Sequence, residues 1–148
     1  MLLTGDGETI TGMYWTVFRR TPEVRADWTQ NKAMFRDATT QLDEYFAGTR
    51  QEFDLKFEFA GTPFQKSVWN ELQKIPFGAS TSYQVIAEAI GKPKAVRAVG
   101  TAVGSNPICI VVPCHRVLAT SGKLGGYAGG LDSKRVLLAT ERIAWKEA

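Results

Sequence analysis

Residues 111–117 read Val-Val-Pro-Cys-His-Arg-Val, and they set Cys114, one of two cysteines, beside His115, the only histidine in the chain. A thiol next to an imidazole is material for a nucleophile. The thiolate is the reactive form, and a free thiol with a pKa of about 8.5 is only slightly ionised at neutral pH. A neighbouring base or cation is needed to raise that fraction. Consecutive side chains rarely face each other, so a bridging water is the natural route from His115 to Cys114. The third member of such a relay is a carboxylate on another element, and both Glu141 and Asp132 compete for that place. The plain alternative is a cysteine buried for packing at the end of a short apolar run.

The remaining residue types narrow the chemistry. A single histidine and two cysteines five positions apart cannot build an ordinary zinc site, so neither metal nor cofactor is expected. Two cysteines make no disulfide framework, and on a continued strand Cys109 and Cys114 would face opposite sides. The glycines at 122, 125, 126, 129 and 130 surround Tyr127 but lack the Lys-Ser/Thr signature of a phosphate loop, so they read as a flexible loop. No apolar run is long enough to span a membrane, and the start MLLTGDGE carries no leader pattern, so a cytoplasmic protein is expected.

Charge is unevenly distributed. The net charge is +3, yet residues 1–60 hold seven basic against ten acidic side chains and residues 61–148 eleven against five. Between Glu88 and Asp132 no acid occurs for 43 residues, while Lys92, Lys94, Arg97, Arg116 and Lys123 fall inside. A basic window of that length around Cys114 favours a polyanionic partner over a merely solvated face.

The elements that must position these groups form two lobes, 1–60 and 61–148, in a chain of 148 residues, 44% hydrophobic and 22% charged. In the first lobe, strands over 1–4 and 9–18 flank a Gly-Asp-Gly turn. A polar loop follows over 21–29, and a helix over 30–47 carries Phe35, Ala38, Leu42, Tyr45 and Phe46 before a stop at Gly48. Residues 53–59, FDLKFEF, alternate as a half-buried strand. These aromatics are assigned to the core and to no chemistry.

In the second lobe, Thr62, Pro63 and Gln65 open a helix that ends at Pro76 and Gly78. A helix from Ser82 to Ile90, a break at Gly91 and a helix from Pro93 to Val103 outline a helix-turn-helix. The last of these is thin, with Ala95, Ala98, Gly100, Ala102 and Gly104, and one long cation, Arg97, projects from it. Packing on its neighbour would explain the thinness; so would entry into a nucleic-acid groove with little base reading. ICIVV, 108–112, reads as a short buried strand ending at Cys114, and a last helix covers Ser133 to Trp145.

In this context the stretches SYQVIAEAIGKPKAVRAVGTAVGSNP, IVVPCHRVL, SGKLGGYAGGLDSK and LLATE, in that order between Phe64 and Glu141, strongly resemble the O6-alkylguanine-DNA alkyltransferases, the methylated-DNA–protein-cysteine methyltransferases. The resemblance implies a small α/β, ribonuclease H-like N-terminal lobe packed on a mainly helical lobe with a winged helix-turn-helix. It implies that Cys114 accepts the alkyl group, that His115 is the base through a water, that Glu141 orients His115, that Asn106 braces the adjoining turn and that Tyr83 protonates the leaving base. Arg97 would fill the gap left by a flipped nucleotide, with Lys92, Lys94, Ala95, Thr101 and Arg116 also on DNA. Carbonyls of Cys114 and Val117 and amides near Tyr127 and Ala128 would hold the guanine edge, with Gly129 and Lys134 close by. Position 128 is Ser in some relatives and Ala here, at a contact made largely by backbone.

The implied partner is double-stranded DNA carrying O6-alkylguanine, with O4-alkylthymine left open, bound by a monomer without strong sequence preference, at the nucleoid or in a nucleus. A thioether product offers water no carbonyl to attack, so one turnover per molecule is expected. A lesion-binding relative without transfer would lack the cysteine. A cysteine hydrolase would need its histidine on a separate element and an oxyanion hole. A peroxidatic thiol and a purely structural DNA-binding module are the other readings.

Overall fold

The computed structural model describes residues 1–16 and 21–147. The chain begins with an antiparallel pair, β1 (Leu2–Gly5) and β2 (Ile10–Tyr14), joined by a turn that the Asp6 carboxylate closes on the amides of Glu8 and Thr9. The last two residues of the strand expected over 9–18 lie outside the described residues. A short 3₁₀ turn (Lys32–Phe35) leads into α1 (Arg36–Phe46). Gly48, at φ +80, stops α1: its amide and that of Thr49 donate to the carbonyls of Tyr45 and Glu44, the Schellman arrangement that needs a left-handed residue.

FDLKFEF alternates half-buried and exposed side chains as expected, but it does not form a strand. Only Phe57 bridges β2, through Ile10, whose amide and carbonyl bond Lys56 and Glu58. Further along, Met13 of β2 is hydrogen-bonded to Pro107 and Cys109 instead. The two segments share one strand's hydrogen-bonding capacity, and neither has room for a full ladder.

The second lobe opens at α2 (Pro63–Leu72), where the Thr62 hydroxyl and the Gln65 side chain form a reciprocal capping box. β3 (Thr81–Ser82) runs into α3 (Tyr83–Ala89), capped by Ser82. The following helix, α4 (Val96–Gly104), starts three residues later than Pro93. Proline's fixed φ suits a turn as well as a helix start, and the Ala95 amide closes a turn on the Lys92 carbonyl. α2, α3 and α4 pack together, and the Trp69 indole donates to the Ala102 carbonyl at 2.8 Å.

The ICIVV segment corrects a second expectation. Ile108 makes a single bridge to Met13, and the chain then winds through tight turns. Ile110 sits at φ +70, a left-handed conformation that costs a β-branched residue energy. A 3₁₀ turn (Cys114–Arg116) follows, then β4 (Val117–Leu118), which pairs in parallel with β3. α5 (Leu131–Thr140) ends earlier than the expected helix, because Arg142 adopts φ +58 and closes the helix with Ile143. One buried core runs through both lobes, with Met13 and Tyr45 from the first and Val68, Trp69, Val99, Ile108 and Cys114 from the second.

Candidate active site

The β3–β4 pair brings the start of α3 beside the turn that carries Cys114. Cys114 forms the floor of a cavity of about 580 Å³ walled by Tyr83, Arg97, Gly100, Tyr127 and Ala128 among others. The thiol is 2% exposed. Asn106 holds the turn in shape: its amide donates to the carbonyls of Val112 at 2.8 Å and Ile108 at 3.3 Å, and its oxygen accepts from the Ile108 amide at 3.0 Å.

Because ICIVV turns instead of continuing as a strand, Cys109 and Cys114 lie side by side, and the Cys109 thiol is an available donor to Cys114. The Cys109 S–H has a competing acceptor, the Asn106 carbonyl at 3.9 Å. A charged acceptor attracts the proton more strongly, so ionisation of Cys114 turns Cys109 toward it. That bond holds Cys114 below the ordinary thiol value against the opposing effect of burial, with help from the Asn106 side chain and the Lys134 ammonium. Cys109 moves the other way, raised by the same bond and by burial.

Behind Cys114, His115 is fully buried, and its Nε2 lies 2.7 Å from Glu141 Oε1. Burial would raise the Glu141 carboxyl, but hydrogen bonds from His115, Arg116 and Tyr45 outweigh it and bring it down to about 2. An ionised carboxylate only accepts, so the His115 proton sits on Nε2 and the Nδ1 lone pair is bare. Nδ1 has no hydrogen-bond partner within the described protein. Burial, more than any neighbour, pushes His115 down, so the imidazole is neutral at neutral pH and can serve as a base. Of the two carboxylates proposed from position, Glu141 makes this contact; Asp132 pairs with Arg135 at the surface.

Tyr83 is the first residue of α3, and burial raises its phenol, so it stays protonated. The wall opposite approaches it closely: a Cβ at Gly125 would stand 2.9 Å from the Tyr83 hydroxyl, and Gly125 already needs φ +65. Gly129 does not line the cavity. It packs beneath Trp15, where a Cβ would meet the indole at 2.5 Å. Trp15 also donates to the Tyr127 hydroxyl at 3.0 Å, so the first lobe clamps the glycine-rich loop.

Two further expectations change. Arg116, expected on DNA, is buried: Nε donates to Glu141 Oε2 at 2.7 Å, Nη2 to Oε1 at 2.9 Å and Nη1 to the Ile75 carbonyl at 2.6 Å. A guanidinium is drawn there by the buried carboxylate, which needs a cation more than the surface does. Lys134, expected near the pocket, lies behind its wall, fully buried, with Nζ donating to the carbonyls of Val117, Leu124 and Gly126. Burial lowers this ammonium to about 8. Val117 is likewise buried, and its carbonyl faces Lys134.

At the mouth, Arg97 and Thr101 line the cavity from α4 and are exposed, and Lys92 and Lys94 stand in solvent on the preceding turn, with Ala95 half-buried between. Lys92 also lies over the Phe64 ring at 5.5 Å. The residues that sequence reasoning missed are Trp15, Tyr45 and Cys109. Trp15 and Tyr45 look like any core aromatic, and an assumed strand separated Cys109 from Cys114. Among the described residues no cluster of three His, Cys, Asp or Glu side chains could hold a metal ion, and no helix is long and apolar enough to cross a membrane.

Comparison with known proteins gives a consistent family. The profile described as "6-O-methylguanine DNA methyltransferase, DNA binding domain" matches residues 63–143, and "6-O-methylguanine DNA methyltransferase, ribonuclease-like domain" matches residues 2–59. A methylated-DNA–protein-cysteine methyltransferase of Methanosarcina barkeri is 48% identical over 141 residues, which cover 95% of this chain and 89% of that protein. The crystal structure of Mycobacterium tuberculosis OGT in complex with DNA superposes with a TM-score of 0.88 at 46% identity, covering 95% of this chain and 84% of that one. S. pombe Atl1, in complex with damaged DNA containing O6-carboxymethylguanine, is similar over 55% of this chain and 77% of its own, at 28% identity and a TM-score of 0.50.

Proposed function

We propose that this chain, which belongs to the 6-O-methylguanine DNA methyltransferase family, repairs DNA by moving the alkyl group of O6-alkylguanine onto its own Cys114, once and irreversibly. The observation that carries this reading is a buried thiol, held below its ordinary pKa, at the floor of a cavity whose mouth is basic and whose back is a His–Glu pair.

The steps follow from the groups in place. Lys92, Lys94 and the start of α4 grip the DNA backbone, a sequence-independent and salt-dependent attraction. The target oxygen lies in stacked DNA, so the nucleotide must be extruded, at a cost of a few kcal/mol that a poorly paired base reduces. Arg97, at the cavity mouth, takes the vacated place in the stack. Tyr127, Ala128 and the Cys114 carbonyl receive the guanine edge. The Cys114 proton passes through a water to the bare Nδ1 of His115, and Glu141 stabilises the imidazolium that forms. The thiolate then attacks the alkyl carbon, a C–S bond forms, and the bond from carbon to O6 breaks. Guanine leaves as its neutral form because Tyr83 supplies a proton. The thioether has no leaving path at neutral pH, so Cys114 is consumed.

No cofactor is required, because the acceptor is the protein's own sulfur. We assign residues 1–60 to support and 61–148 to DNA binding and chemistry, in a monomer acting in the cytoplasm or wherever the cell keeps its DNA. The test is to mix the protein with a duplex containing O6-methylguanine and weigh it intact. One methyl on Cys114, saturating at one equivalent, is expected. Absence of the adduct, or turnover beyond one equivalent, rejects the reading. Cys114→Ser should bind the duplex and acquire nothing.

A further inference from the structure

The Glu141 carboxylate takes five hydrogen bonds among the described residues, and one of its donors comes from the other lobe. Tyr45, on α1, is completely buried, and its hydroxyl donates to Glu141 Oε1 at 2.7 Å. Oε1 is the same oxygen that receives His115 Nε2, also at 2.7 Å. The Tyr45 ring packs against Phe46, Phe53 and Phe77, with centroids 5.1, 5.4 and 6.2 Å away. A phenylalanine would make the same ring contacts, so packing alone does not call for the hydroxyl. Burial and the adjacent carboxylate both push the phenol far up, so it is a permanent donor.

We propose that Tyr45 is a positioning residue of the alkyl-transfer site: by donating to Glu141 Oε1 it draws charge from the oxygen that holds His115 and so keeps that imidazole neutral and able to take the Cys114 proton. This rests on the reading of Cys114, His115 and Glu141 as the nucleophilic relay. The physical reason is competition at one acceptor. A carboxylate oxygen facing His115 alone would stabilise the imidazolium and hold the proton, making a poorer base in the resting protein. Tyr45 shares that oxygen, as does Arg116 Nη2, while Arg116 Nε and the Gly78 amide occupy Oε2 at 2.7 and 3.4 Å. The other charges that face His115 are Arg116 on its own turn and Lys134 on α5, and both oppose its protonation. Among the described residues Glu141 is the anion drawing the proton in, and Tyr45 tempers it from the N-terminal lobe.

The chain's single histidine makes the test direct, because its ring protons are the only imidazole signals in an NMR spectrum. In Tyr45→Phe the His115 titration midpoint should move to higher pH by about half a unit or more, and the acid limb of the transfer-rate profile should move with it. In a Glu141→Gln background the same substitution should produce no shift. Phe53→Leu, which loosens the ring packing and keeps the hydroxyl, should lower the melting temperature and leave the midpoint in place. An unchanged midpoint in Tyr45→Phe overturns the proposal, as does an equal shift in the Glu141→Gln background. So does a histidine silent down to acid unfolding in both proteins, or a Tyr45→Phe chain that does not fold. Methyl transfer to Cys114 is weighed separately on the wild-type protein. Its failure would reject the relay and leave the titration result standing.

Discussion

Behind Cys114, the side chains of His115, Arg116, Lys134 and Glu141 are each less than a tenth exposed and every one is hydrogen-bonded, whereas in front of it Arg97, Lys92 and Lys94 stand in solvent with no ion pair among the described residues. The back of the site is a buried network in which Arg116 balances Glu141 and three backbone carbonyls hold Lys134. The front is a set of exposed cations with no carboxylate partner among the described residues. The two faces therefore fail differently. A change at the back alters folding and reactivity together, while a change in front alters binding with the fold intact.

The sharpest way to break that contrast is Arg116→Ala. It strips Glu141 of its cation inside the core, and removing one partner of a buried pair typically costs about 3–5 kcal/mol, read as a large fall in melting temperature. The corresponding change in front, Arg97→Ala, should leave the melting curve in place. On the role proposed for Arg97, it should slow transfer from duplex DNA by about tenfold or more, since extrusion of a stacked base costs a few kcal/mol. Transfer from the free O6-methylguanine base should be unaffected. If Arg97→Ala unfolds the chain, or Arg116→Ala does not destabilise it, the division is wrong.

Acid should separate the faces as well. Glu141 has a folded pKa of about 2 against an ordinary value of 4.5. Its stabilising contribution is therefore complete above about pH 4.5 and is lost as pH falls toward 2. Thermal melts across that window should show a decline that Glu141→Gln lacks, since the amide does not titrate.

A smaller effect concerns the Cys114 thiol. Cys109→Ala removes the thiol that donates to Cys114, so the Cys114 pKa should rise, and transfer at neutral pH should slow several-fold while recovering in alkali. A thiolate-specific absorbance titration reads the direction. The smallest effect concerns Arg142, which ends α5 at φ +58. Arg142→Gly relieves a left-handed arginine and should raise the melting temperature slightly, with no change in transfer.

The parts of the site legible in the sequence were those carried by adjacent residues or by a local rule. Cys114 and His115 are neighbours, Thr62 and Gln65 cap one turn, Gly48 ends α1, and Ser82 starts the helix that bears Tyr83. The extended segments were read less well. FDLKFEF and ICIVV have the composition of strands, but a strand needs a partner, and Ile10 and Met13 of β2 offer each only a single bridge. The roles of Arg116 and Lys134 were misjudged for a related reason. Arg116, in an acid-free window, looks like surface, and nothing local shows that Glu141, 25 residues away, claims it. Lys134 was placed at the pocket by resemblance, and nothing local shows that three carbonyls behind the wall claim it.

By itself the sequence determined the adjacency of Cys114 and His115, the capped helices and the asymmetric charge, because each of these is set within a few residues or by composition. Only the tertiary structure decided that Cys109 lies against Cys114, that Arg116 is buried and that Tyr45, 96 residues from Glu141, reaches it from the other lobe. Periodicity tells which face of an element is turned inward. It does not tell what that face will meet, because the partner is chosen by packing and by the need to satisfy buried charge, and both exist only once the chain has closed on itself.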